Sequence, residues 1–305
     1  MKKSFLTLGV VGMLLAGCGE EEVKRRSRLK SNLKIEHETQ KKIEESSKID
    51  KETMFNIINS IPSPLETSDL IKSLGIPFSE RILNSPNKKV NYTTTNKQAL
   101  NLGIYGADLG YTNIYGEKGS SFKYLKVVRQ LASDLKIGQF FDKNTITRMR
   151  KNENNMDSLI YISQRGFEKM NNYLEKQKRS DISAQLLLGG WIEGAYLATS
   201  VYKTDPNEKL METIGEQKIA IDEIMVLMNS LRGERKFKTI IKGFDELKKI
   251  YDDVKIEYTQ QKTEIEVAPG IFQNVEGEKS VVKITVKQIE NVTKTIEQLR
   301  SEIIN

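Results

Sequence analysis

The chain has 305 residues, a formal net charge of +7, and only one cysteine and one histidine. Catalytic triads, cysteine–histidine pairs and zinc sites need several such side chains together, so this composition effectively excludes them, and we expect no metal or cofactor. A chain of this length can bury a sizeable core as one domain or two. The most apolar stretch after residue 18 is 186–202, and Glu193 interrupts it, so we expect no membrane-spanning helix there.

The first 17 residues have the layout of a secretory signal peptide, with Lys2 and Lys3 before an apolar run at 5–15. The following Leu15-Ala-Gly-Cys18 resembles the lipobox of bacterial lipoproteins, and that resemblance implies cleavage before Cys18 and acylation of its thiol and new amine. The chain has no second cysteine for a disulfide. We therefore expect a lipid anchor at Cys18 in the cell envelope, at the outer membrane on its periplasmic face or the cell surface, with an otherwise soluble mature chain.

The segment that follows, to residue 49, is nearly all charged or polar and is predicted to be a flexible tether. A basic cluster at 24–30 could bind anionic headgroups at about 1 kcal/mol per charge, or could simply be a solvated spacer. The run Glu20–Glu22 resembles an acidic surface-export signal of some Gram-negative lipoproteins. No nucleic-acid partner is expected, since the basic residues lack interleaved aromatic residues.

Periodic apolar residues and turn signals predict helices in the first part of the body. Asp50 is placed to cap a helix that ends near Ile61-Pro-Ser-Pro64, and Gly75 and Pro77 close the next helix, over 65–74. A polar loop follows at 84–95. Further helices are predicted at about 97–115, 120–136, 144–176 with a break near 152–155, and 180–202.

The last third of the sequence has the apolar seams of long helices packed side by side. Apolar residues recur at spacings of four and three over Ile214–Leu231, Phe237–Val254 and Ile289–Ile303. Between the last two segments, Thr263–Val267 alternates and a Pro-Gly turn follows, so we expect either a short hairpin near 263–275 or an ordered loop. The sequence therefore predicts an all-α body, a helical bundle with long C-terminal helices.

These patterns divide the chain into four parts. We predict a signal peptide at 1–17, a lipidated tether at 18–49, a glycine-rich helical unit at 50–204, and a long-helix bundle packed on it at 205–305. The sequence leaves open whether the last two parts share one core.

Two predicted helices carry strips of small residues. The first strip is Gly103, Gly106 and Gly110, and the second is Gly190, Gly194 and Ala198, each at spacings of three or four. A glycine inside a helix lowers the stability of the helix by about 1 kcal/mol relative to alanine. A close approach of two helix backbones would compensate for so many glycines. We therefore predict that the two strips pack against each other.

Three motifs resemble recurring motifs of a group of uncharacterised bacterial envelope lipoproteins. They are Ile61-Pro-Ser-Pro64, Leu100–Leu109 and Gly189-Gly-Trp-Ile-Glu-Gly194, in the expected order. The resemblance covers roughly Met54–Leu231. It implies a helical envelope domain and carries no known activity, so it assigns no functional residue.

Each glycine-rich helix also carries one acid, Asp108 or Glu193, among aromatic residues (Tyr105, Tyr111, Trp191 and Tyr196). This cluster could bind a ligand, perform acid–base hydrolysis, or serve as a buried structural network. Our leading expectation is a lipid-anchored envelope protein whose helical domain binds a protein or small-molecule partner or braces an assembly. The alternative is a hydrolase that uses Asp108 and Glu193; an open cleft between them would favour it.

Overall fold

The computed structural model describes residues 61–268 and 271–305, together with Met54 and Ile57, but not the side chains of Ser230 and 258–280. The predictions for the signal peptide, Cys18 and the tether concern residues outside that description. Residues Ile49–Asn305 form one compact unit. The buried apolar side chains of the described residues all belong to this unit, so it has a core of its own.

Helices dominate the described part of the chain, and the all-α prediction is confirmed. No helix in this part is both long and apolar enough to cross a membrane. Short 3-10 helices lie at Glu80–Ile82, Pro86–Asn91, Gly138–Phe141 and Arg235–Phe237. The longer elements, in chain order, are α1 (Pro64–Ser73), α2 (Thr95–Ile114), α3 (Lys118–Asp134), α4 (Lys143–Lys151), α5 (Met156–Lys176), α6 (Ser180–Thr204), α7 (Glu208–Leu231), α8 (Lys238–Asp252), β1 (Lys255–Ala268), β2 (Ile271–Lys283) and α9 (Val286–Ile304).

Local side-chain chemistry sets several helix ends. Ser63 caps α1 in a reciprocal capping box, in which its backbone N–H donates to Glu66 Oε2 at 2.6 Å, and Pro64 opens the first turn. The break predicted near 152–155 is present between α4 and α5. There Asn155 Oδ1 accepts from the backbone N–H of Ser158 at 2.8 Å and starts α5.

The apolar core joins helices from both sides of residue 204. One cluster of buried side chains draws on α2, α6, α7, α8 and α9 through, among others, Ile104, Trp191, Ile224, Phe244 and Ile296. A second cluster centres on α2, α3 and α6 and contains Tyr105, Tyr124, Leu131 and Leu197. The glycine-rich helices and the long C-terminal helices therefore share one core, and α2 and α6 lie in both clusters.

The predicted hairpin is present and longer than expected. Strands β1 and β2 pair antiparallel from Lys255 opposite Lys283 to Ala268 opposite Ile271, with a register irregularity between Glu266 and Ala268. They form a two-stranded sheet. The stretch Gln260-Gln-Lys262 contains no apolar residue, so the alternation of polarity is interrupted in the middle of β1.

Candidate functional site

The backbones of α2 and α6 touch where two glycines face the opposite helix. A Cβ atom on Gly103 would lie 2.1 Å from the carbonyl oxygen of Leu186 and 2.6 Å from the backbone nitrogen of Gly190. A Cβ atom on Gly189 would lie 2.0 Å from the carbonyl oxygen of Leu100. These distances leave no room for any side chain. The close approach brings the middle of α6, including its acid, beside α2.

Two other glycines of the predicted strips face α1 instead. A Cβ atom on Gly110 would lie 2.6 Å from Leu65 Cδ2, and one on Gly194 would lie 3.4 Å from Pro64 Cα. Gly190 lies between α2 and α1. A Cβ atom on it would lie 3.7 Å from the carbonyl oxygen of Gly103 and 4.0 Å from Pro64 Cγ. The first turn of α1 therefore packs where α2 and α6 diverge. This arrangement explains small residues beyond the crossing point.

Gly106 lies outside the helix contact, contrary to the expectation from its spacing. It is exposed, and a Cβ atom built on it would meet nothing within 4 Å. Because two crossing helices diverge on either side of their contact point, a residue one turn along can face solvent. The helical spacing of Gly103, Gly106 and Gly110 could not distinguish these positions.

Glu193 forms a buried, two-pronged ion pair with Arg300 from α9. Arg300 Nε donates to Glu193 Oε2 at 2.6 Å, and Nη2 donates to Oε1 at 2.8 Å. The Glu193 side chain is 0% exposed and the Arg300 side chain is 8% exposed. Arg300 also donates to the carbonyl oxygen of Ile82 at 3.2 Å, and its guanidinium lies 3.9 Å from the ring centroid of Tyr196. Both carboxylate oxygens of Glu193 are thus occupied by one cation.

Asp108 is buried beside this pair, and no lysine or arginine among the described residues forms a salt bridge with it. Its Oδ2 accepts from the backbone N–H of Asn84 at 3.1 Å. Burial, and then the negative charge of Glu193, raise the pKa of Asp108 well above its usual range, while Arg300 opposes this shift. Asp108 Oδ1 has no donor among the described residues. A side-chain hydrogen bond with Glu193 adds to the rise in the pKa of Asp108, because it favours the protonated form. The raised pKa favours the neutral form of Asp108, and in that form the opposite charges of Glu193 and Arg300 balance each other.

The predicted aromatic residues separate into two groups. Tyr196 lies under the guanidinium, and Tyr105 is buried near Asp108 with its hydroxyl donating to the carbonyl oxygen of Ser85 at 2.7 Å. Burial, with smaller effects from Tyr92 and Asp108, raises the pKa of Tyr105 above its ordinary value. Tyr196 therefore contacts the ion pair directly, whereas Tyr105 is linked to the acids only through the electrostatic effect of Asp108.

Trp191 and Tyr111 lie elsewhere, contrary to the predicted grouping. Trp191 Nε1 donates to Gln217 Oε1 at 2.9 Å, and its ring packs on Phe244 with 5.7 Å between centroids. The Tyr111 hydroxyl accepts from the backbone N–H of Ser79 at 3.3 Å. A helix displays neighbouring residues in different directions, so closeness in sequence did not place these rings beside the acids.

A polar network at the end of α9 also escaped prediction. Asn101 Nδ2 donates to the carbonyl oxygen of Ile303 at 3.0 Å, and the Tyr92 hydroxyl donates to that of Ile304 at 3.3 Å. Asn84 Nδ2 in turn donates to the Tyr92 hydroxyl at 3.1 Å. These bonds satisfy carbonyl groups that the last helical turn leaves without intrahelical partners. They also hold the turn that carries Arg300 against α2.

The signal that could have found Arg300 is its position on the helix. It lies four residues after Ile296 and three before Ile303, on the apolar seam of α9. An arginine at such a position is buried only when a partner offsets its charge. Its partner in the structure is the acid of the most apolar helix, Glu193.

This arrangement limits the chemistry that the acid cluster can perform. Asp108 and Glu193 are both 0% exposed, so solvent reaches neither carboxyl group. A general acid or base must lie within hydrogen-bonding reach of its substrate, directly or through one water. Among the described residues, no group of three or more histidine, cysteine, aspartate or glutamate side chains could hold a metal ion.

Comparison with known proteins finds no matching family model, no matching curated protein and no matching solved structure.

Proposed function

We propose that the protein is a lipid-anchored component of the cell envelope whose helical body binds a partner or braces an assembly. The lipobox-like Leu15-Ala-Gly-Cys18, directly after an apolar run, supports the anchor at Cys18. The anchor places the protein at the outer membrane, on its periplasmic face or at the cell surface. A protein or a small molecule is the partner of the body.

The single observation that carries the role of the body is the sealed acid cluster. Glu193 is fully paired with Arg300, and neither acid has exposed surface. A buried and charge-balanced network stabilises one arrangement of α2, α6 and α9, as a rigid binding or bracing scaffold requires. The hydrolase alternative needs an open cleft at Asp108 and Glu193, and their burial counts against it.

Metabolic labelling with a fatty-acid probe tests the anchor in the full chain. We expect label on the wild-type chain and none on Cys18→Ser, which should remain an uncleaved precursor. Ser27→Ala in the tether is the matched control and should label normally. Undiminished labelling of Cys18→Ser would overturn the anchor.

Cross-linking in intact cells followed by purification tests the role of the body. We expect the tagged wild-type chain to capture a specific envelope partner, and Arg300→Met to reduce that capture by loosening the scaffold. Hydrolysis of a cell-wall or lipid substrate by the purified protein, abolished by Asp108→Asn, would instead establish the hydrolase.

A further inference from the structure

In the part of the chain that the structure describes, the excess of positive charge lies in one segment. Residues 118–151 carry nine lysines and arginines against two aspartates. This excess equals the net charge of +7 for the entire chain, so the remaining residues balance. The segment comprises α3, the 3-10 helix Gly138–Phe141 and α4. Such an excess of cations creates a local positive field around this segment.

Helix α3 has two chemically opposite faces. Its inner face buries Tyr124, Val127, Val128, Leu131 and Ala132. Its outer face presents Lys118, Phe122, Lys126 and Arg129, which are all exposed. At 100° per residue, these four positions fall within a sector of about 80°, opposite the buried one. Phe122 is 71% exposed and therefore projects an aromatic ring among three cations.

Neighbouring acids do not neutralise this outer face. Asp134, the acid of α3, already pairs with Lys89 at 2.7 Å, and Glu80 pairs with Lys123 at 3.4 Å on the flank of the helix. Within the described part of the chain, Lys118, Lys126 and Arg129 form no ion pair. Their charges are available to an anionic partner.

We propose that the outer face of α3, formed by Lys118, Phe122, Lys126 and Arg129, binds the anionic headgroups of a membrane. The three cations meet headgroup phosphates, and the Phe122 ring enters the boundary between headgroups and acyl chains. This inference rests on the proposed envelope location, which supplies the membrane.

The mixture of side chains favours a lipid surface over other polyanions. An exposed aromatic ring gains free energy from burial in an apolar layer, and basic residues around it gain from anionic lipids at the same depth. Lysine stems can lie along the apolar boundary while their ammonium groups reach the headgroups. An acidic protein or nucleic acid would offer charge but no continuous apolar layer for Phe122.

Vesicle cosedimentation tests the proposal with the compact unit Ile49–Asn305, which lacks the lipid and the tether. We expect binding to vesicles that contain phosphatidylglycerol and none to pure phosphatidylcholine. At about 1 kcal/mol per charge near the surface, the combined change Lys118→Gln, Lys126→Gln and Arg129→Gln should lower the partition coefficient on the order of 100-fold. Added salt should weaken binding of the unchanged protein.

The matched control removes three cations from another exposed surface. Lys238, Lys242 and Lys249 on α8 are exposed, and changing all three to glutamine lowers the net charge equally. We expect this variant to bind nearly as well as the unchanged unit. An equal loss in both triple variants would mean that net charge alone drives binding, and it would overturn the proposal.

Fluorescence tests the insertion of the ring separately. The chain has a single tryptophan, Trp191, and it is buried, so Phe122→Trp adds a second emitter on the surface. We expect its emission to shift to shorter wavelength with anionic vesicles and to stay unchanged with phosphatidylcholine. The absence of a shift at saturating anionic lipid would overturn insertion.

Two further outcomes separate this proposal from others. Binding to heparin or polyglutamate without binding to anionic vesicles would assign the face to an acidic macromolecule and overturn the lipid proposal. Fatty-acid labelling of Cys18 is read on the full chain, independently of vesicle binding. If the full chain is labelled but the body does not bind anionic vesicles, this inference alone is overturned. If the full chain is not labelled but the body binds anionic vesicles, only the lipid anchor is overturned.

Discussion

Arg300 Nε lies 2.6 Å from Glu193 Oε2, and this buried ion pair joins the last helix to the most apolar one. The partners are 107 residues apart in the chain. Removing a charge from water costs free energy unless an opposite charge lies close by. Each partner therefore offsets the desolvation cost of the other in the core. The pair therefore couples the position of α9 to that of α6, and through Asp108 to α2.

Replacing Arg300 by methionine should destabilise the body strongly. The change leaves Glu193 as a buried carboxylate without a cation, a situation that costs about 3–5 kcal/mol. Urea unfolding followed by circular dichroism measures the loss. Arg232→Met is the control, since Arg232 pairs with Asp245 at 2.6 Å but both side chains are more than one third exposed. That exposed pair should contribute about 1 kcal/mol or less, and equal losses in both variants would contradict the assignment.

Replacing Asp108 by asparagine should remove a pH dependence of stability. Its pKa is raised in the folded state, so the folded protein holds this proton more tightly than the unfolded chain does. The stabilisation is fully present below the ordinary value of 3.8 and is lost as pH rises through the folded pKa. Asparagine keeps an amide donor for Glu193 and an acceptor for the backbone of Asn84 without a charge.

The free energy of unfolding, measured between about pH 4 and pH 8, tests this sign. We expect the free energy of unfolding of the wild type to fall relative to that of Asp108→Asn as pH rises. The variant should therefore be the more stable protein at about pH 8. Glu193→Gln should instead be destabilised throughout this range, because it leaves Arg300 as an unpaired buried cation. A wild-type advantage over Asp108→Asn that grows with pH would show that Asp108 is ionised in the fold.

Alanine substitutions at Gly103 and Gly106 should change the free energy of unfolding in opposite directions. In Gly103→Ala the new Cβ would lie 2.1 Å from the Leu186 carbonyl oxygen, so the helices must separate. We expect a loss of about 1–3 kcal/mol, and a correspondingly lower melting temperature. Gly106→Ala places its methyl group in open space and should gain about 1 kcal/mol of helix propensity. Two changes of the same sign would contradict the observed crossing.

The cap of α9 predicts a loss for Asn101→Ala. The change removes a buried donor to the Ile303 carbonyl oxygen at 3.0 Å and to that of Lys97 at 2.9 Å. A buried carbonyl left without a donor costs about 1–3 kcal/mol. Asn152→Ala is the control, because Asn152 makes a similar bond to the carbonyl of Arg148 at 2.8 Å but in an exposed position. Chemical unfolding of both variants should show a clearly larger loss for Asn101.

Interactions between residues close in the chain account for the local structure of this protein. Helical periodicity, the Ser63 cap and the polar stretch before Asn155 each act within a few residues, through backbone hydrogen bonds and one buried face. Asp108 and Glu193 were also visible, since a charged residue inside an apolar helical pattern needs a partner. Such features depend on neighbours in the chain and can be read from one sequence.

Which distant side chains meet depends on how the helices pack in three dimensions. The pairing of Arg300 with Glu193 depends on how α9 crosses α6, and helical periodicity gives the direction of a face but not its opposite partner. The same limit applies to the glycines. Gly103 and Gly106 lie about one helical turn apart on α2, yet Gly103 contacts α6 and Gly106 is exposed to solvent. Trp191 likewise joins Gln217 rather than the acids, because adjacent positions on a helix point to different neighbours.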